Sequence, residues 1–179
     1  MVRLGFETGR PAPKQLLNQS FQSAMTDNQI FLIRSSWSVA VSKPDMLAET
    51  FYRRLFEIDS TAQRLFAAVD METQHRKLVQ SLAVLVQTLD DLDAMLPVLA
   101  ALGKRHVGYG VEHRHFDSVG AALLTALDHT LGDAFTPDVF DAWNTVYTLV
   151  AGVMRRALLR AANEPSLGSP ERSEGSLSS

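Results

Sequence analysis

Cysteine is absent from the 179 residues. That excludes disulfides, thiolate zinc sites, cysteine-ligated iron–sulfur clusters, a cysteine nucleophile and any cofactor tethered through a thioether. Long apolar runs are missing too: none approaches the roughly 18 residues a membrane span needs. The stretch from Met1 to Pro13 holds no apolar block of about 7–15 residues, so no secretory leader is expected, and the expected location is the cytoplasm. A basic excess is lacking as well. Lys and Arg number 17 against 20 Asp and Glu, a formal charge of −3, which speaks against a dedicated nucleic-acid binder. No HExxH and no His-rich tract is present, which argues against a zinc site. No serine sits in GxSxG. Gly108-Tyr109-Gly110 follows a helical pattern rather than standing between strand and helix, so it is no phosphate loop.

What remains is 46% apolar and 21% charged, the composition of one globular domain. Residues 1–26 read as an N-terminal extension, with only a weak amphipathic piece around Leu16, Leu17 and Phe21. The last 17 residues hold six serines, two prolines and two glycines. Such a tail, residues 163–179, cannot offset its ordering entropy by apolar burial and is expected to be disordered.

Between these ends, residues 27–162, the pattern is helical nearly throughout. Thr26 or Asp27 can cap a helix carrying Ile30, Ile33, Trp37 and Val41. Pro44 suits the first turn of the next, with Leu47, Phe51, Leu55 and Ile58 at helical spacing. A short helix covers Ser60 to Phe66. Residues 71–89 carry Leu78, Leu82, Leu85 and Leu89. Residues 92–107 carry Met95, Leu99, Leu102 and His106, ended by Gly108 and Gly110. The charge run Asp90-Asp91-Leu92-Asp93 reads as a cap. Phe116, Val119, Leu123, Leu127 and Leu131 mark a further helix stopped by Gly132. Thr136-Pro137-Asp138 starts a last one with Phe140, Trp143, Tyr147, Val150, Met154 and Leu158. The fold class is all-α with six or seven helices.

His106 is the most unusual residue, for it shares the apolar stripe of Leu99 and Leu102. It is either a core histidine with both nitrogens satisfied or a metal ligand. The metal would most naturally be haem iron, since no second His or carboxylate shares its face. Gln74, in line with Leu78, Leu82 and Leu85, and Tyr52, between Ala48 and Leu55, place polar groups on apolar stripes. They are boundary residues with wet tips or donors aimed at a ligand. His113 and His115 belong to the polar start of a helix, two residues apart and not on one face. His129 reads as solvated.

These residues, taken in order, resemble the globins over roughly residues 27–160, in particular the neuroglobin-like and flavohaemoglobin-type single-domain globins of microbes. The resemblance rests on Ile33-Arg34-Ser35-Ser36-Trp37, Phe51-Tyr52-Arg53-Arg54-Leu55-Phe56, Gln74-His75-Arg76-Lys77-Leu78, and Leu102-Gly103-Lys104-Arg105-His106 followed by Tyr109-Gly110-Val111 and Phe116. Phe135-Thr136-Pro137 with Ala142, Trp143 and Tyr147 completes the set.

The resemblance implies a globin fold around a haem pocket, with no reductase domain in this chain. It makes His106 the proximal ligand to the iron of haem b (iron protoporphyrin IX) and Phe66 the ring wedged against the haem. Tyr52 and Gln74 become the distal pair, Leu78 the apolar cover over the iron, and Val111 and Phe116 walls on the proximal side. Lys77 becomes a propionate partner, with Arg105 a poorer one. Two positions depart from the pattern: Ser60 stands where proline is usual, and a histidine falls at His75, one residue after Gln74. One residue is about 100° of helix, which turns His75 away from the iron. The implied function is reversible binding of O₂, and of NO or CO, for storage, scavenging or NO detoxification. The last would be NO dioxygenation dependent on an external reductase. Alternatives are a bis-histidyl redox or gas-sensing globin through His75, and a haem-free helical interaction module. No nucleic acid and no membrane is expected as partner.

Overall fold

The computed structural model describes residues 25–163. The expected extension, with its Leu16, Leu17 and Phe21 piece, and the Ser-rich tail lie outside the described residues except at their inner edges. There Met25 is buried, Thr26 caps the first helix and Asn163 closes the last.

Seven α-helices follow one another among the described residues: α1 (Asp27–Ala40), α2 (Pro44–Ile58), α3 (Ser60–Leu65), α4 (Met71–Gln87), α5 (Leu92–Gly108), α6 (His113–Leu131) and α7 (Pro137–Asn163). A 3₁₀ turn at Gly132–Ala134 precedes the last. Their ends are chemically specified. Thr26 and Gln29 form a reciprocal capping box at α1,. Pro44 and Pro137 occupy first-turn positions where a missing N–H costs nothing,. Asp59, Asp70 and Asp91 accept backbone N–H groups at the starts of α3, α4 and α5. The acidic run before α5 is thus its cap, with Asp90 turned instead to Arg34 at 2.6 Å. Gly110, two residues beyond α5, and Gly132, the residue after α6, take positive φ, +74° and +58°, a conformation that penalises any Cβ.

The most extensive packing joins α2 to α6 and α5 to α7, with α1 laid on α7 and α4 against α2. Trp143 is fully buried at the α1–α7 crossing, and Trp37 tilts against it. The Trp143 indole donates to Ser36 Oγ at 3.0 Å, and that hydroxyl donates on to the Leu32 carbonyl at 2.7 Å. Gly103 lets α5 approach α7 closely: a Cβ there would lie 2.8 Å from the Met154 carbonyl oxygen and 2.9 Å from Ala157 Cβ.

Three residues assigned to apolar stripes are instead exposed. Val41 and Ile58 lie where α1 and α2 end, so no further turn carries them inward. On α7 Val139 is buried in place of Phe140, which stays near the surface edge-on to Phe135.

Burial along α4 and α5 is graded in opposite directions. On α4, Leu82, Leu85 and Val86 are buried while Gln74, His75, Leu78 and Val79 are half-buried. On α5, Met95 and Leu99 are buried while Leu102 and His106 are half-buried. The two helices meet at residues 88–91 and do not pack extensively on each other. They therefore stand apart as the arms of a wedge, apolar on both inner faces.

Candidate functional site

His106 sits in the last turn of α5, at the open end of this wedge. Its Nδ1 lies 2.7 Å from the Leu102 carbonyl oxygen, one turn back. A carbonyl only accepts, so Nδ1 carries the proton, and the neutral ring's lone pair resides on Nε2. The backbone behind it is pinned. The Val111 N–H reaches back to the His106 carbonyl and the Gly110 N–H to that of Val107, at 3.2 and 3.1 Å. This is a Schellman closure with Gly110 in the left-handed position,. The same closure folds half-buried Val111 back onto the helix turn that carries His106. Phe116 follows on α6, buried; its carbonyl accepts from the Tyr147 hydroxyl, and the Arg155 guanidinium lies 5.4 Å over its ring.

On α4, Gln74, His75 and Leu78 are half-buried, while Lys77 and, on α5, Arg105 are exposed. Beside them an aromatic cluster rises from α2 and the end of α3. Tyr52 is buried and lies edge-on to Phe51 and Phe66, with ring centroids 4.9 and 5.4 Å away. Phe56 tilts against both Tyr52 and Phe66. The Tyr52 hydroxyl donates to the backbone carbonyl of Gln74 at 3.4 Å, and burial pushes its phenol up to about 12,. The structure thus brings Tyr52, Phe66 and Gln74 together on one arm. It places His106, Val111 and Phe116 on the other. A cavity of about 550 Å³ flanks the aromatic cluster, lined by Phe56, Ser60, Gln63, Arg64, Phe66, Ala67 and Met71. It shares Phe66 with the wedge and is separate from His106.

These residues fit a haem. One imidazole nitrogen is committed to a carbonyl, which leaves the other as a ligand, and the inner faces on either side are apolar and only half covered by protein,. A flat apolar group between α4 and α5 would finish burying Leu78, Leu102 and Val111.

A family model described as Globin matches residues 49–154. The chain belongs to the globin family. Membership implies a haem as cofactor and a diatomic gas as ligand. A flavohemoprotein of Bacillus subtilis (strain 168) is 30% identical over 130 residues, 71% of this chain and 33% of that protein. One of Xylella fastidiosa (strain Temecula1) is 28% identical over 142 residues, 77% of this chain and 36% of the other. The chain spans about a third of the length of these relatives. Among solved structures, a bacterial globin from Campylobacter jejuni has a TM-score of 0.67 at 22% identity, covering 78% of this chain and all of that one. A hexacoordinated heme protein from an anhydrobiotic tardigrade has a TM-score of 0.68 at 20% identity, covering 75% of this chain and 96% of its own. Both likenesses are of fold. No helix among the described residues is long and apolar enough to cross a membrane.

Sequence reasoning missed one polar centre beside the site. His115 is not a wet residue of a helix start but 4% exposed. Its Nδ1 accepts the Glu112 N–H at 2.9 Å, which places the proton on Nε2, 3.1 Å from Thr61 Oγ1. Thr61 in turn donates to Asp59, which also takes a hydrogen bond from Ser118. The cluster ties the α2–α3 corner to the start of α6. Its only signal in sequence was the i,i+3 spacing of Glu112 and His115, a capping-box spacing with unusual partners.

Proposed function

We propose that this chain binds haem b through His106 and uses it to bind O₂ reversibly. Tyr52 and Gln74 act as donors on the gas side, and the task is storage, scavenging or NO removal rather than delivery. The observation that carries the reading is the His106 Nδ1 contact to the Leu102 carbonyl, which leaves Nε2 as the only lone pair of the ring. Ferrous haem, when bound, supplies the gas-binding centre. Phe66, Leu78, Val111 and Phe116 would exclude water from it, and exposed Lys77, with Arg105 as the weaker candidate, would meet its propionates.

Tyr52 and Gln74 do the tuning. A ligand that gains partial negative charge is held by hydrogen-bond donors, each worth roughly 1.5–3 kcal/mol, or about 10- to 150-fold in affinity. The Tyr52 phenol, pushed up to about 12, stays protonated throughout the physiological range and remains a donor. Its bond to the Gln74 carbonyl is long at 3.4 Å against a usual 2.7–2.8 Å for O–H···O, so it is readily surrendered to a ligand.

The test is an absorption spectrum followed by kinetics. A Soret band with a single broad visible band in the unliganded ferrous form is expected. Tyr52→Phe and Gln74→Leu should each speed O₂ dissociation by about tenfold or more. A colourless protein, or dissociation rates unmoved by both substitutions, would refute the reading. Repeated nitric oxide removal consumes one electron per cycle, and nitrate formed over many cycles with an added reductase measures it.

A further inference from the structure

The resemblance turns His75 away from the iron, and its imidazole lies stacked on Tyr52, with ring centroids 5.3 Å apart and planes at 20°. We propose that His75 is a positioning residue that fixes the Tyr52 hydroxyl for the ligand, an inference that rests on the haem-globin reading above. The 100° of rotation that separates His75 from Gln74 on α4 carries it off the line of Gln74 and over the phenol of a different helix.

A tyrosine delivers its hydroxyl to one place only if its χ1 is held, because a swing about χ1 moves the oxygen by several ångströms. Around Tyr52 stand Phe51 and Phe66, each close to perpendicular to its ring, and Phe56, tilted against it. His75 stacks against a face of the ring. The hydroxyl then rests on the Gln74 carbonyl, the residue beside His75 on the same helix turn. One turn of α4 thus supplies the cover for the ring, the resting acceptor for its proton and the second donor. The hydroxyl can pass from the Gln74 carbonyl to a ligand by rotating its O–H bond while the ring stays in place. Removing the imidazole opens the face and frees other rotamers.

The experiment compares wild type, His75→Ala and His75→Phe in the ferrous, haem-loaded protein. His75→Ala should speed O₂ dissociation roughly 2- to 12-fold, the equivalent of one aromatic pair, and less than Tyr52→Phe does. The C–O stretch of the carbon monoxide form should move toward its Tyr52→Phe value. His75→Phe, which keeps a flat ring, should restore both. Nuclear Overhauser contacts between the His75 and Tyr52 ring protons in the carbon monoxide form report the stack independently of gas kinetics. The proposal is overturned if those contacts are missing, if His75→Ala behaves as wild type, or if His75→Phe is as impaired as His75→Ala. It also falls if the unliganded ferrous protein shows a sharp split pair of visible bands, which would place His75 on the iron. If Tyr52→Phe is effective and His75→Ala is silent, the positioning role alone falls. If Tyr52→Phe is silent too, the distal reading falls first and takes this one with it.

Discussion

An imidazole on an apolar stripe must do something with two nitrogens, and at His106 the local helix settles half of the question. The Leu102 carbonyl one turn back takes Nδ1–H, so tautomer and ring direction follow from the helix itself. That the stripe of Leu99, Leu102 and His106 is one face was legible from spacing. That its last two members stay half-buried was not, because spacing gives a direction and not what stands opposite. Tyr52 and Gln74 were legible in the same way, as polar groups in line with leucines. Ser36 was not: nothing local shows that Trp143, more than a hundred residues away, donates to it. With the hydroxyl removed by Ser36→Ala, the buried indole N–H loses its acceptor. Stability should drop by about 1–3 kcal/mol, read as a shift of the urea midpoint with unchanged slope.

At the scale of elements, nearly every helix boundary was written into the chain as a cap or a stop. Thr26 with Gln29, Pro44, Asp91, Gly110, Gly132 and Pro137 each act locally, within a few residues of where they stand, so local sequence suffices to find them. The α2–α3 corner is different. Asp59 holds α3 through backbone N–H groups, but it also reaches Ser118 and stands 3.8 Å from His115 on α6. The Thr61 hydroxyl, with the Thr61 and Ala62 N–H groups and Ser118, holds its carboxyl at about 2, against the opposing effect of burial,. A carboxyl lower in the folded than in the unfolded chain adds stability that is fully present above about pH 4. That stability is lost as pH falls through the folded value near 2. The folded protein should therefore weaken between about pH 4 and 2, and Asp59→Asn should flatten that part of the stability profile. Acid titrations followed by circular dichroism check this.

The whole molecule adds a shape. α5 is drawn onto α7 at Gly103, α4 leans on α2, and the two arms left standing apart enclose an apolar wedge. A group that fills the wedge binds the folded state alone, so it stabilises by mass action: about 2.7 kcal/mol at a hundredfold excess over its dissociation constant. Adding haem should raise the melting temperature of wild type in a concentration-dependent way. His106→Ala should keep its helical circular dichroism while losing most of that gain, since the axial bond is removed and the apolar walls remain.

The sequence by itself determined that residues 27–162 are helical nearly throughout, roughly where the helices begin and end, that His106 lies on an apolar stripe, and that the pattern is a globin's. These are consequences of hydrophobic period and of caps that act over one helical turn. Only the tertiary structure decided which stripes are covered and which are left half-bare. It alone showed that His115 is buried in a polar cluster and that His75 lies on Tyr52. Such facts depend on residues brought together from distant parts of the chain. A helical spacing fixes an angle around one axis, and it takes the packing of a second axis to say what that angle faces.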